Sequence, residues 1–522
     1  MSSAPQPQRH INPWIIATAV MLSTFMEVLD TTVVNVSLPH IAGSLSASID
    51  EATWVLTSYL VANAIILPIT GWLSNFFGRK RLLMGSVIGF TVSSFLCGIA
   101  PSLPMLIFFR LIQGACGGSL QPLSQAVLLE AFPPQERGKA MGFWGLGIVV
   151  APVLGPVLGG WLTDSYSWRW VFYINLPVGI ASIVMTYLFI FDPPYIKRGT
   201  ARIDYWGIGM LAVWIGALQI VFDKGQEDDW FSSPMIVILT GITAVFLVAF
   251  VIRQLVAKSP VVDLHVFKYR SYASGVFLMT VLGFVLYGST VILPIWFQTL
   301  LGYSSGLSGI TMAPRGIGSM IGMPMVGILL LPRFDPRKLL ASGLLLGGFS
   351  TYQLAQLNMN AGFWDLCWPQ FIQGFALGLI FVPLTTISMF PIPKEVMGNA
   401  TSLFNLMRNL GGSIGIAMVT TLHSRYQQRH INVLASHVTA LNPQATEMMQ
   451  GLQARFMASG SDTVTAQKQA YIAMFGVVRQ QAAMLSFLDI FWLIAIVFLL
   501  MIPLVFIMKK PRGPVSGEVA VH

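Results

Sequence analysis

Charge is scarce in this 522-residue chain: only 10% of its residues are Asp, Glu, Lys or Arg, where a soluble domain carries about 25%. A surface so poor in charge is not kept in water, which excludes the several soluble domains that length alone would suggest. Cysteine is scarcer still. The three thiols, Cys97, Cys116 and Cys367, fall inside apolar runs, so neither a disulfide framework nor a metal-ligand spacing is available, and they read as packing residues. No GxxxxGK(S/T) phosphate loop occurs and no His, Asp or Glu cluster has metal-site spacing, which argues against an ATP-driven pump, a membrane-embedded enzyme and any resident metal or cofactor. The net charge of +9 sits mainly in short loops between apolar runs, a distribution that fits membrane orientation and not nucleic-acid binding.

Hydrophobic residues make up 55% of the chain. Apolar runs of roughly 20 residues predict an all-α polytopic membrane protein with spans at about 14–36, 53–74, 82–100, 103–127, 139–163, 168–191, 203–222, 234–256, 272–297, 307–331, 338–357, 364–390, 400–422 and 485–508. The first run, from Trp14, is too long for a signal-peptide core and stays as a helix. The organisation expected is a cytoplasmic N-terminus (1–13), a six-helix bundle (14–200), two inserted helices (201–260), a second six-helix bundle (261–508) and a cytoplasmic tail (509–522). Basic clusters at Arg79-Lys80-Arg81, Lys197-Arg198, Arg337-Lys338 and Lys509-Lys510 put both termini in the cytoplasm, because short outer loops such as 37–52 and 298–306 carry no Lys or Arg and the one around Asp228-Asp229 is acidic. One outer segment, 423–484, is long and mixed in polarity; it reads as a helical extramembrane hairpin, either an interaction surface or a tolerated insertion.

The two bundles repeat each other. Arg79-Lys80-Arg81-Leu82-Leu83 resembles Arg337-Lys338-Leu339-Leu340, Leu111-Ile112-Gln113-Gly114 parallels Phe371-Ile372-Gln373-Gly374, and Pro122-Leu123 parallels Pro383-Leu384, all at a nearly constant offset. Parallel halves meeting around a midplane cavity are one route to alternating access in secondary transporters.

Charge inside a span is costly and marks function. Glu27 and Asp30 lie three residues apart in the first helix, hence on one face. Arg110, Gly114, Gly117 and Gln121 form a polar, small-residue stripe along the fourth. An Asp30–Arg110 pair is predicted, either as a coupling switch that takes up a proton when the carboxylate loses its partner or as a permanent structural pair; Glu27 either joins that coupling or lines water. Arg315 and Arg408 either face the cavity or snorkel, and Asp489 reads as an interfacial cap. Asn35, Gln113, Gln121 and Gln373 join Glu27, Arg315 and Arg408 as candidate substrate contacts. One proton crossing ~100 mV yields about 2.3 kcal/mol and a unit of pH about 1.4 kcal/mol, enough to sustain a large drug gradient. In the fifth helix Ala151, Gly155 and Gly159 recur at four-residue intervals beside Gly160, a close-packing face, while Pro152 and Pro156 predict a bend.

These residues together resemble the major facilitator superfamily, in particular its fourteen-helix drug:proton antiporter branch and the EmrB-type multidrug exporters of Gram-negative bacteria. The resemblance covers essentially the whole chain and rests on Leu29-Asp30-Thr31-Thr32-Val33-Val34-Asn35 in the first helix, Arg110-Leu111-Ile112-Gln113-Gly114 in the fourth and Gly155-Pro156-x-x-Gly159-Gly160 in the fifth, which resembles the antiporter motif. Gly71 to Lys80 resembles the family's gating loop, with Gly71, Gly78, Arg79 and Lys80 in place but Asn75 where an Asp is usual, which puts a charge-based latch in doubt. The resemblance implies the bacterial inner membrane, export of hydrophobic drug-like compounds against protons, a periplasmic 423–484 segment, an EmrA-type adaptor and a TolC-type outer-membrane channel as partners. Met and Phe, 26 and 34 of them, supply adaptable apolar walls for varied ligands. The alternative function is proton symport of a small metabolite, against which the antiporter-like fifth helix stands. Cationic drugs would favour Glu27 and Asp30, anionic uncouplers and fatty acids Arg315 or Arg408.

Overall fold

A computed structural model describes residues 12–193, 204–257, 259–439 and 441–509. Lys197, Arg198, Lys510, the N-terminal segment up to residue 11 and most of the expected C-terminal tail lie outside the described residues, as does the side chain of Pro156. Among the described residues there is helix and loop and no strand, as the bilayer demands of a chain whose backbone must satisfy its own hydrogen bonds.

The first bundle consists of α1 (Pro13–Ser44), α2 (Trp54–Phe77), α3 (Arg79–Gly98), α4 (Leu103–Ala131), α5 (Arg137–Ser165) and α6 (Trp170–Phe189). The inserted pair is α7 (Tyr205–Lys224) and α8 (Pro234–Val256). The second bundle holds α9 (Arg270–Thr299), α10 (Ser305–Met325, running into a π turn at Val326–Leu330), α11 (Pro336–Leu354), α12 (Phe363–Met389), α13 (Met397–His437) and α15 (Thr463–Val505), with α14 (Pro443–Ala458) packed on α15 outside the bundle. Helix starts are set by local chemistry: Asn12 accepts from the Trp14 N–H with Pro13 in the first turn, and Asp335 and Asn442 do the same ahead of Pro336 and Pro443.

Eleven described helices are long and apolar enough to cross a membrane, or twelve when α5 is taken as one span across its bend. The two remaining expected spans, α11 and α13, fall short on composition because Gly, Ser, Thr and Asn fill them; most of α13 from Met397 to Val419 is buried against neighbouring helices instead of lipid. The α5 bend is 41° between Arg137–Pro152 and Val157–Ser165, where the prolines predict it. The 423–484 segment is helical, but it is the continuation of α13 and the start of α15 with α14 between them, three pieces and not a simple hairpin. Asp489 is not a cap: its Oδ2 lies 2.7 Å from His430 Nε2, joining α13 to α15 at the root of that segment.

Between the bundles, α2 packs on α13 and α5 on α10. Both seams are tightest at the end bearing Arg79: a Cβ on Gly71 would stand 2.6 Å from the Asn399 Cα, and one on Gly142 would stand 2.7 Å from the Met323 carbonyl oxygen. The inserted α7 hydrogen-bonds both bundles at the opposite end, with Asp223 to Thr57 and Lys224 Nζ to Thr53 on one side and Gln219 to Ser413 on the other.

Candidate functional site

The centre of the first bundle is a polar cluster sealed in an apolar core. Asp30, fully buried on α1, receives three donors: Arg110 Nη1 at 2.6 Å on Oδ2, and Gln113 Nε2 at 2.9 Å and Asn175 Nδ2 at 2.7 Å on Oδ1. Arg110, equally buried, also donates from Nε to the Val55 carbonyl at 3.1 Å and from Nη1 to Gln113 Oε1 at 2.8 Å, and its guanidinium lies 4.1 Å from the Tyr59 ring centroid. The glycine at 114 lets α4 come close enough for this, since Gly114 abuts the Tyr59 carbonyl on α2. A buried charge needs a partner and hydrogen bonds; the pair expected from the sequence supplies the partner and most of the bonds, with Arg110 Nη2 left unpaired among the described residues.

Glu27 sits one turn away and is built differently. It is 4% exposed and accepts from Asn63 Nδ2 at 3.1 Å and from Gln121 Nε2; no cation contacts it directly among the described residues. Gln121 Oε1 in turn accepts from Arg408 Nη2 on α13, so this chain of bonds crosses from one bundle to the other. One turn along, Asn405 Nδ2 donates to Gln125 Oε1 at 2.6 Å, a second polar rung at the same seam.

Arg315 and Arg408 are both buried and neither snorkels. Arg315 donates to Ser289, Thr290 and the Leu286 carbonyl on α9, away from the first bundle. Gln373 is buried with no hydrogen-bond partner for its amide among the described residues. Asn35 stays outside the cluster and is exposed; five residues past Asp30 it is rotated by about 140° from it around the helix. Asn63, Asn175, Gln125 and Asn405 are not singled out by the sequence: Asn63 and Asn175 are lone amides in apolar runs, a contrast that is their only signal, and Gln125 and Asn405 sit among other polar residues.

On α5, Gly155 abuts Thr32 and a Cβ on Gly159 would stand 2.8 Å from the Val33 carbonyl oxygen, so both pack α5 on α1, whereas Gly160 faces open space. In the gating loop, Gly78 takes a φ of 89° between α2 and α3, and Asn75 is exposed. Charge there is met from elsewhere: Arg79 pairs with Glu130 at the end of α4, and the Lys80 N–H donates to Asp192 at 2.8 Å. Both carboxylates lie far off in sequence, and only Glu130 forms an ion pair, since Asp192 meets the Lys80 backbone and the Lys80 Nζ donates to the Tyr187 carbonyl at 2.6 Å. A cavity of about 20 Å³ lies between the bundles, bordered by Gly145, Leu286, Met323, Phe381 and Arg408.

A family model for the Major Facilitator Superfamily matches residues 20–416. The chain is similar to the multidrug export protein EmrB of Escherichia coli, 38% identical over 97% of this chain and 98% of that protein. It is also similar to the fatty acid resistance protein FarB of Neisseria gonorrhoeae, 38% identical over 95% of this chain and 96% of that protein. The crystal structure of the human organic anion transporter TETRAN matches with a TM-score of 0.60 at 13% identity, covering 94% of this chain and 100% of that one, a likeness of fold alone.

Proposed function

The chain belongs to the major facilitator superfamily, and from that premise we propose that it exports hydrophobic or amphipathic toxic compounds in exchange for protons, by alternating access of the two bundles. The observation that carries the coupling is the unlike pair of buried carboxylates on one face of α1: Asp30 is neutralised by Arg110, while Glu27 is held by two amides at the seam between bundles. An ionised carboxylate taken out of water without a contacting cation is costly, so proton uptake there changes the balance of the seam. Asp30 and Arg110 serve as the second, charge-compensated part of the same site. Substrates follow from the relatives' names, which speak of multidrug export and fatty acid resistance. Arg408 borders the cavity with the apolar walls of Leu286, Met323 and Phe381, and this is where such a compound would lodge once the bundles part. Gly71, Gly155 and Gly159 and the Arg79 and Lys80 contacts form the packing faces and latch on which the bundles move.

Orientation and partners extend the reading. Helices of 41 and 43 residues are about 60 Å long at 1.5 Å per residue, roughly twice the hydrocarbon thickness. The outer parts of α13 and α15, with α14, therefore stand clear of the membrane on the side away from Arg79. In a bacterial inner membrane with both termini cytoplasmic, that segment is periplasmic and offers a surface to an EmrA-type adaptor leading to a TolC-type channel.

The test is proton release from inside-acid proteoliposomes on addition of a lipophilic drug. Wild-type protein is expected to release protons, and Asp30→Asn and Glu27→Gln each to abolish release while remaining folded. Normal release by Asp30→Asn would make its pair with Arg110 purely structural.

A further inference from the structure

The polar bridge across the seam has a property that a direct ion pair lacks. Gln121 presents its Nε2 to Glu27 on α1 and its Oε1 to Arg408 on α13, so the amide stands between an anion of one bundle and a cation of the other. No carboxylate contacts Arg408 directly among the described residues; its other hydrogen bond is to Asn409 at 3.4 Å, and its Nε has no partner. Most of what holds this guanidinium at the seam is therefore one amide oxygen.

An amide is a donor at one end and an acceptor at the other. With Glu27 ionised, only the NH2 end satisfies it, which leaves the oxygen for Arg408 and makes both bonds charge-assisted. A protonated Glu27 carries a hydroxyl that donates. When it donates to the amide oxygen, Gln121 turns its NH2 toward Arg408, donor against donor, and the bond across the seam is lost. We propose that Gln121 is the positioning residue that converts protonation of Glu27 into release of Arg408, and so of α13, from the first bundle. This rests on the antiport reading above and adds the means by which the proton acts on the opposite half. The proton goes to Glu27 itself; the amide changes orientation, the hydrogen bond between Gln121 and Arg408 is given up, and no covalent bond is made or broken.

The groups facing Glu27 are Asp30 on its own helix and Arg408 on α13, and Tyr59 on α2. Arg110 on α4 is engaged by Asp30. The α5 face opposite α1 brings Trp144, Gly147 and Gly155, none of them ionisable. Arg408 is thus the cation placed to respond to Glu27, and it does so through Gln121.

Spin labels at Ser102→Cys and Asn360→Cys, exposed positions in the α3–α4 and α11–α12 loops, report the distance between bundles in full-length protein reconstituted without drug, with Cys97, Cys116 and Cys367 replaced by alanine. The wild-type background is expected to show a distance distribution that shifts as pH falls. Glu27→Gln is expected to hold the low-pH distribution at every pH, and Gln121→Leu to do the same. A wild-type-like shift in Gln121→Leu overturns the proposal. Arg408→Gln, which keeps a hydrogen-bonding group without the charge, is expected to lose the shift as well and decides the matter if leucine at 121 yields no folded protein. Failure of the antiport reading is separate: it appears as no drug-driven proton release from the unlabelled wild type.

Discussion

Asp30 and Glu27 differ in how many ways each is held, and the difference was only half legible in the sequence. Burial forces a charged residue to find a partner, so Arg110 could be assigned to Asp30 from two apolar helices alone. Nothing comparable announces an amide. Asn175 supplies Asp30 with a hydrogen bond at 2.7 Å and also bonds Ser94 at 3.0 Å, yet along the chain it is one polar residue ahead of an apolar run. Removing a donor to a buried charge costs about 1.5–3 kcal/mol, so Asn175→Leu is expected to slow transport by about tenfold or more while Arg110 stays bound; initial rates of drug-driven proton release measure it. Asn35 was misread for a geometric reason, since it belongs to the same short motif as Asp30 but its angle around the helix turns it outward.

Elements were more legible than contacts. The α5 bend and the recurrence of small residues follow from the sequence of one helix, but which glycines meet a neighbour depends on where α1 lies. Gly159 stands against the Val33 carbonyl and Gly160 against nothing within 4 Å. Gly159→Leu is therefore expected to force α1 and α5 apart at about 1–3 kcal/mol, lowering the midpoint of thermal unfolding in detergent, whereas Gly160→Leu leaves it unchanged. Equal effects of the two would mean that α5 is sensitive to helix flexibility and not to packing. The gating loop teaches the same lesson: the anions that meet Arg79 and Lys80, Glu130 and Asp192, come from the ends of other segments and could not be read from residues 71–80.

At the scale of the whole molecule, two bundles do the moving and other parts are attached to them. The α7 helix bonds to α2 through Asp223 and Lys224 and to α13 through Gln219, so the insert is tied to both bundles. By contrast, α14 packs chiefly on α15, outside either bundle. Replacing Pro443–Ala458 by a short flexible linker is expected to leave drug-driven proton release in vesicles intact and to abolish drug resistance in cells, through loss of the surface proposed to meet an adaptor. Loss of vesicle transport would place α14 in the pump itself. The cavity between the bundles carries its own consequence. Drug-sized ligands occupy roughly 300–1,000 Å³, against about 20 Å³ here, space for about one water molecule. At this point of the seam there is room for a single water and not for a file of them, so the wall that a drug has to part is also one that a proton does not cross there along a chain of water.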